Sequence, residues 1–154
     1  MKLTELIKQG HFASIGQEAM LNIMVTSSWM LGELAASMAP YGVTPSQYNV
    51  LRVLRGSHPK LLTCSDIRNR LLDRTPDVTR LLNRLEKRGY VHRARATTDR
   101  RIVEVGISET GRALLSQMDG LMDATVDRMT AHLSDAEQRQ VCQLLERLRA
   151  PQSE

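Results

Sequence analysis

Within residues 75–88, TPDVTRLLNRLEKR, polar and cationic side chains recur at the spacing of one helical face. Asp77, Thr79, Arg80, Asn83, Arg84, Lys87 and Arg88 fall outward, while Val78, Leu81, Leu82 and Leu85 fall on the opposite stripe. A helix divided this way buries one side and offers the other to base edges and phosphates in a major groove. Arg80 is placed for a bidentate contact with guanine, and Thr79 for a thymine methyl or a phosphate. Asp77 either accepts from a cytosine amine or complements the helix dipole, and the two roles stand level. Thr75 and Pro76 form the expected helix start, with Thr as N-cap and Pro just inside it. Arg84, Lys87 and Arg88 are read as phosphate contacts or plain solubilising charge.

A second cluster follows at Ala96-Thr97-Thr98-Asp99-Arg100-Arg101. Two strand-like runs flank it, so it reads as the tip of a β-hairpin. A cation at such a tip can enter a minor groove, where narrow A·T-rich sequence concentrates negative potential. Arg100 is the candidate for that role, beside Thr98. Asp99 and Arg101 are expected to pair locally and hold the shape of the tip.

The charge distribution supports both sites. Residues 52–101 hold fourteen Lys/Arg against five Asp/Glu, a net of +9, while the remainder carries a net of −5. A basic middle between mildly acidic ends is the footprint of a polyanion-binding segment, or else a solvated basic face. Catalysis has little to stand on. The chain lacks a glycine-rich phosphate loop, HExxH, CxxC and G-x-S-x-G. Its four His are scattered, so neither a metal nor any other cofactor is expected.

The elements that must position these residues can be read from periodicity and caps. A long helix is expected over about 11–39, ended by Pro40-Tyr41-Gly42. Thr44-Pro45-Ser46-Gln47 is a capping box opening a helix to about Arg55, with Tyr48, Leu51 and Leu54 on one face. Leu61 and Leu62 suggest a short strand, and Thr63 caps a helix from Cys64 to about Leu72. The helix over 75–88 ends at Gly89, and strands over 90–95 and 101–107 make the hairpin. Ser108 caps another long helix, and Ser134 with Glu137 opens a last one. The architecture is mainly α with a small β-hairpin: a winged helix-turn-helix over 44–107 within a single 154-residue unit, flanked by helices over 11–39 and 108–150. Those flanking helices carry more apolar residues than one buried face needs, which points to dimerisation. With 154 residues, 42% hydrophobic and 25% charged, the composition is that of an ordinary globular chain. The uncharged run Ala19–Gly32 is too short and polar to span a bilayer. Cys64 and Cys142 without a signal peptide fit a reducing cytoplasm.

The runs VTPSQYNVLRVL and TCSDIRNRLLDRTPDVTRLLNRLEKRGYVHRARATTDRRIVEVGISETGRALL resemble the MarR family of bacterial transcription regulators. The most specific pieces are Val78-Thr79-Arg80, Leu85-Glu86-Lys87-Arg88-Gly89, Asp99-Arg100-Arg101 and Ser108-Glu109-Thr110-Gly111. Ile107-Ser108 stands where the family more often has Leu-Thr, a change that keeps the capping hydroxyl. The resemblance covers about residues 20 to 130. It implies a homodimer binding a pseudo-palindromic operator in double-stranded DNA, as a repressor that a small aromatic or phenolic effector releases.

For that effector, Trp29, Tyr48 and Arg52 are the pocket candidates, with Arg55 a further partner for a ligand carboxylate; core packing is the favoured reading of both aromatics. Some relatives sense oxidants through cysteine, and Cys64 at a helix start is the candidate here; packing as a small hydrophobe is favoured for it as well. The alternative class is a winged-helix module that binds an acidic protein partner.

Overall fold

The computed structural model describes residues 2–73, 77–96, 99 and 101–150. Seven α-helices and three strands follow in order: α1 Leu3–Ile7, α2 Ile15–Met38, α3 Pro45–Ser57, β1 Leu62–Thr63, α4 Cys64–Arg70, α5 Val78–Lys87, β2 Val91–Arg95, β3 Val103–Ile107, α6 Glu109–Thr130 and α7 Asp135–Arg149. A single 3₁₀ turn, Ala39–Tyr41, joins α2 to α3.

Side-chain caps set most helix starts. Thr44 accepts from the Gln47 backbone N–H while Gln47 returns the bond, so α3 opens on a reciprocal box. Thr63 with Asp66 does the same for α4, and Ser134 with Glu137 for α7. The first long helix begins at Ile15 rather than near His11, because Ser14 is its N-cap and accepts from the Gln17 N–H. The short α1 was not expected from sequence; it buries only Leu3, too little to leave a periodic signal.

The sheet order is β1-β3-β2, antiparallel throughout. β2 and β3 pair from Val91↔Ile107 to Arg95↔Val103, and β1 adds Leu62↔Val105 on the other edge. The strand expected near Leu61 therefore exists as the third member of the wing sheet. Gly89 takes a left-handed φ of 71° between α5 and β2, a turn in which any Cβ would be strained.

One core joins these parts. Val50, Leu51 and Leu54 of α3, Ile67 of α4, Val78, Leu82 and Leu85 of α5, and Val105 of β3 are essentially inaccessible. The core continues into α6 through Leu115 and Met118, and reaches Met38 at the end of α2. Outside it, many large apolar residues are uncovered. Ile15, Met20, Met24, Trp29 and Leu31 on α2 are exposed, as are Val141, Leu144 and Leu148 on α7, a helix that buries nothing. Among the described residues no helix is long and apolar enough to cross a membrane.

Candidate nucleic-acid interface

The sequence places α5 at the centre of the site, and its buried stripe is the one expected. Val78, Leu82 and Leu85 are buried and Leu81 is half-buried, so Thr79, Arg80, Asn83, Arg84 and Lys87 are exposed. The start of the helix differs from expectation. Asp77 is the N-cap, its Oδ1 accepting from the Arg80 backbone N–H at 3.2 Å. A carboxylate does this as well as a threonine hydroxyl and adds a favourable charge to the dipole. Of the two roles open to Asp77, the geometry gives it the capping one. Thr75 and Pro76 lie outside the described residues.

At the wing tip, Asp99 Oδ1 accepts from the Arg101 N–H at 2.9 Å, and the Asp99 carbonyl accepts from the Ile102 N–H at 3.0 Å. That is the local pairing expected of Asp99 and Arg101; Thr98 and Arg100 lie outside the described residues. Ser108 ties the base of the wing to the helix before it. Its hydroxyl donates to the Gly89 carbonyl at 2.6 Å and also caps α6 by accepting from the Gly111 N–H at 3.0 Å.

At the end of α5 and on β2, two arginines of the basic block are engaged by their own chain. Arg88, expected at the phosphates or in solvent, turns back on its own module. Its guanidinium donates to the Gly42 carbonyl, to the Tyr41 carbonyl at 3.3 Å and to the Tyr90 hydroxyl at 3.2 Å, and lies 4.9 Å from the Tyr90 ring centre. Gly42 makes this possible: at φ 67°, a Cβ there would sit 3.0 Å from the Arg88 guanidinium. Arg93 on β2 donates to Asn83 Oδ1 at 2.5 Å and pairs with Glu86 at 3.4 Å. Neither arrangement could be found by local spacing, because the partners sit on different elements.

Behind α3 lies a cavity of about 670 Å³ between the long helices and the winged module. Leu34 and Met38 of α2, Tyr48 and Arg52 of α3, and Met122 and Val126 of α6 are among its walls. Arg52 lies 6.0 Å from the Tyr48 ring centre, and burial is the main reason the Tyr48 hydroxyl is pushed above its usual pKa. Arg55 is held by Asp119 of α6 through two hydrogen bonds of 2.8 and 2.9 Å, so a ligand carboxylate would meet an arginine already paired. That guanidinium keeps the Asp119 carboxyl below the ordinary carboxylate range. The structure thus brings Tyr48 and Arg52 together; Trp29 is not in the cavity wall and is half exposed rather than in the core. Cys64 packs partly buried against the core at the first turn of α4, and Cys142 is exposed on α7. Among the described residues no group of His, Cys, Asp or Glu is placed to hold a metal ion.

A MarR family model matches residues 41–102, the span from the α2–α3 turn to the wing. The structure of a MarR transcription factor from Planctomyces limnophilus is 33% identical, covers 88% of this chain and 98% of that one, and superposes with a TM-score of 0.69. The chain belongs to the MarR family. Among curated relatives, the HTH-type transcriptional repressor MdtR of Bacillus subtilis is 28% identical over 116 residues, 75% of this chain and 74% of MdtR. The fold is also shared with S. aureus MepR in its DNA complex, at 24% identity and a TM-score of 0.75 over 84% of this chain and 94% of MepR. As a MarR protein the chain is a DNA-binding transcription regulator and not an enzyme.

Proposed function

We propose that the chain acts in the cytoplasm as a homodimeric, sequence-specific repressor of a pseudo-palindromic operator, released by a small-molecule effector. The observation that carries this reading is α5, capped by Asp77, anchored by Val78, Leu82 and Leu85, and exposing Thr79, Arg80 and Arg84 beside the wing. Arg80 makes the base contact, Thr79 and Arg84 support it, and Arg100 of the wing, beside Thr98, engages the flanking minor groove. Thr75 and Pro76 count with this DNA-binding segment, and Asp77, Asp99 and Arg101 hold the shapes of the two contact elements. The uncovered apolar faces of α2 and α7 support dimerisation, since a second copy is the partner that presents the same faces in return. Two-fold symmetry then sets the two α5 helices about 34 Å apart, one turn of DNA.

The cavity walled by Tyr48 and Arg52 supports the effector. It lies between α2, α3 and α6, so an aromatic or phenolic occupant would press on the junction between the dimer scaffold and the reading head. Arg80→Ala tests the DNA reading. It is expected to cost about 1–3 kcal/mol at the preferred site and to relax base preference at one half-site position. Binding of every sequence as tightly as wild type would mean that α5 is not the reading helix.

A further inference from the structure

Asn83 and Arg93 play no part in the interface so far, yet the structure joins them. Asn83 sits one turn beyond Thr79 and Arg80 on the exposed side of α5. Arg93 projects from β2 and spans two α5 side chains, donating to Asn83 Oδ1 at 2.5 Å through one terminal nitrogen and reaching Glu86 Oε2 at 3.4 Å through Nε. Two nitrogens of a planar guanidinium thus grip two points one turn apart, which fixes the angle between β2 and α5. A lysine, whose donors all radiate from one nitrogen, does not reproduce this planar two-nitrogen grip.

The consequence for Asn83 follows from the chemistry of its amide. Arginine has donors and no acceptor, so the amide oxygen, and not the NH₂, must face Arg93. The amide is planar, with oxygen and nitrogen on opposite sides of Cγ. Once the oxygen is turned to the wing, the two N–H donors are turned away from it. An asparagine free to rotate can pair both atoms with adenine N6 and N7; an asparagine whose oxygen is engaged offers donors.

We propose that Arg93 is a positioning residue for DNA recognition: it locks the wing to α5 and holds the Asn83 amide as a hydrogen-bond donor toward an acceptor on DNA. That acceptor is a purine N7, a guanine O6, a thymine O4 or a phosphate oxygen, and not the paired N6 and N7 of an adenine. The proposal rests on α5 being the DNA-reading helix. It accounts for a cation in the basic block that is turned onto a carboxylate of its own chain and so adds little to phosphate attraction.

The test is a double-mutant cycle on Arg93→Lys and Asn83→Ala. Wild type first selects its preferred duplex from a randomised pool, and all four proteins are titrated against that duplex and its single-base variants. Melting temperature and far-ultraviolet circular dichroism establish that each variant is folded. Arg93→Lys keeps the charge and loses the two-point grip, so a residue that merely touched phosphate would be rescued by it. Each single variant is expected to bind about tenfold more weakly, and the double variant to bind no worse than Asn83→Ala alone. A shared change of preference at one half-site base pair places the acceptor on a base; a uniform loss with the same non-additivity places it on a phosphate. Additive losses, a wild-type preference for adenine over guanine that disappears with Asn83, or Arg93→Lys binding as wild type would overturn the proposal. A wild-type protein that selects no sequence from the pool would remove the DNA reading itself and this proposal with it.

Discussion

At the scale of single residues, the positions that matter most are those whose side chains serve the backbone of another element. Gly42 is one. Its left-handed φ and the guanidinium lying against it make alanine doubly unfavourable, through strain and through displacement of Arg88 from two carbonyls. Gly42→Ala is expected to lower stability by about 1–2 kcal/mol in urea unfolding, with an unchanged m-value. Stability equal to wild type would show that Arg88 does not depend on that space. Asp77 is another, and its two readings separate cleanly. Asp77→Asn keeps a good cap and is expected to leave both stability and base preference intact, whereas Asp77→Ala should cost about 1 kcal/mol. A change of base preference in Asp77→Asn would restore the cytosine contact. Capping residues were legible in the sequence because a cap and its target lie three residues apart: Thr44 with Gln47, and Ser134 with Glu137, stand where local spacing puts them. The roles of Arg88 and Arg93 were not legible, because their partners lie across a turn of the tertiary fold. In the sequence both were simply cations in a basic run.

Between elements, polar bonds join α3 and the turn before it to α6. The Arg55–Asp119 pair bridges them, and the Tyr41 hydroxyl donates to the Gln117 carbonyl of α6 at 3.4 Å close by. Higher up, Ser37 of α2 meets the buried Thr125 of α6 through their hydroxyls at 3.0 Å. Since the folded Asp119 pKa lies below its unfolded value, its share of stability is full above the unfolded value, about 4, and is lost as pH falls through the folded one. Both side chains are a third or more exposed, so the effect is small, below about 1 kcal/mol. Wild type should therefore lose its margin over Asp119→Asn as pH falls below about 4, in thermal melts compared across that range. Parallel curves for the two proteins would show that the pair contributes nothing. Element order and type were readable because apolar spacing and caps agree along most of the chain. The start of α5 was misplaced by two residues, since Thr75-Pro76 and Asp77 are competing start signals and the carboxylate is the one that bonds the Arg80 N–H. The cavity could not be foreseen: Tyr48, Arg52, Met122 and Val126 share a wall only because α6 packs across α3.

On the scale of the whole molecule, the uneven distribution of apolar surface is the dominant fact. Most described apolar residues of the winged module are buried, while α7 carries Val141, Leu144 and Leu148 into solvent and α2 carries Met20, Met24 and Trp29. Exposure on this scale marks a surface that another chain covers. Leu144→Glu with Leu148→Glu is expected to turn a dimer into a monomer in light scattering and to weaken operator binding steeply, since one half-site alone remains per particle. A wild-type protein that is monomeric at micromolar concentration would contradict the dimer. The excess of apolar residues was visible in the sequence; which of them the single chain leaves uncovered was not, because α6 buries Leu115 and Met118 along one half and exposes Val126 along the other.

The central claim is that this chain reads sequence in double-stranded DNA through α5 and the wing. The most direct measurement is a titration of the wild-type protein against duplex from its own upstream region and a shuffled duplex of equal composition, each at low and moderate salt. The account predicts tighter binding to the native duplex at both salts, with affinity for the shuffled one falling steeply as salt rises. Equal affinity for the two duplexes at both salts, or none for either, would contradict it.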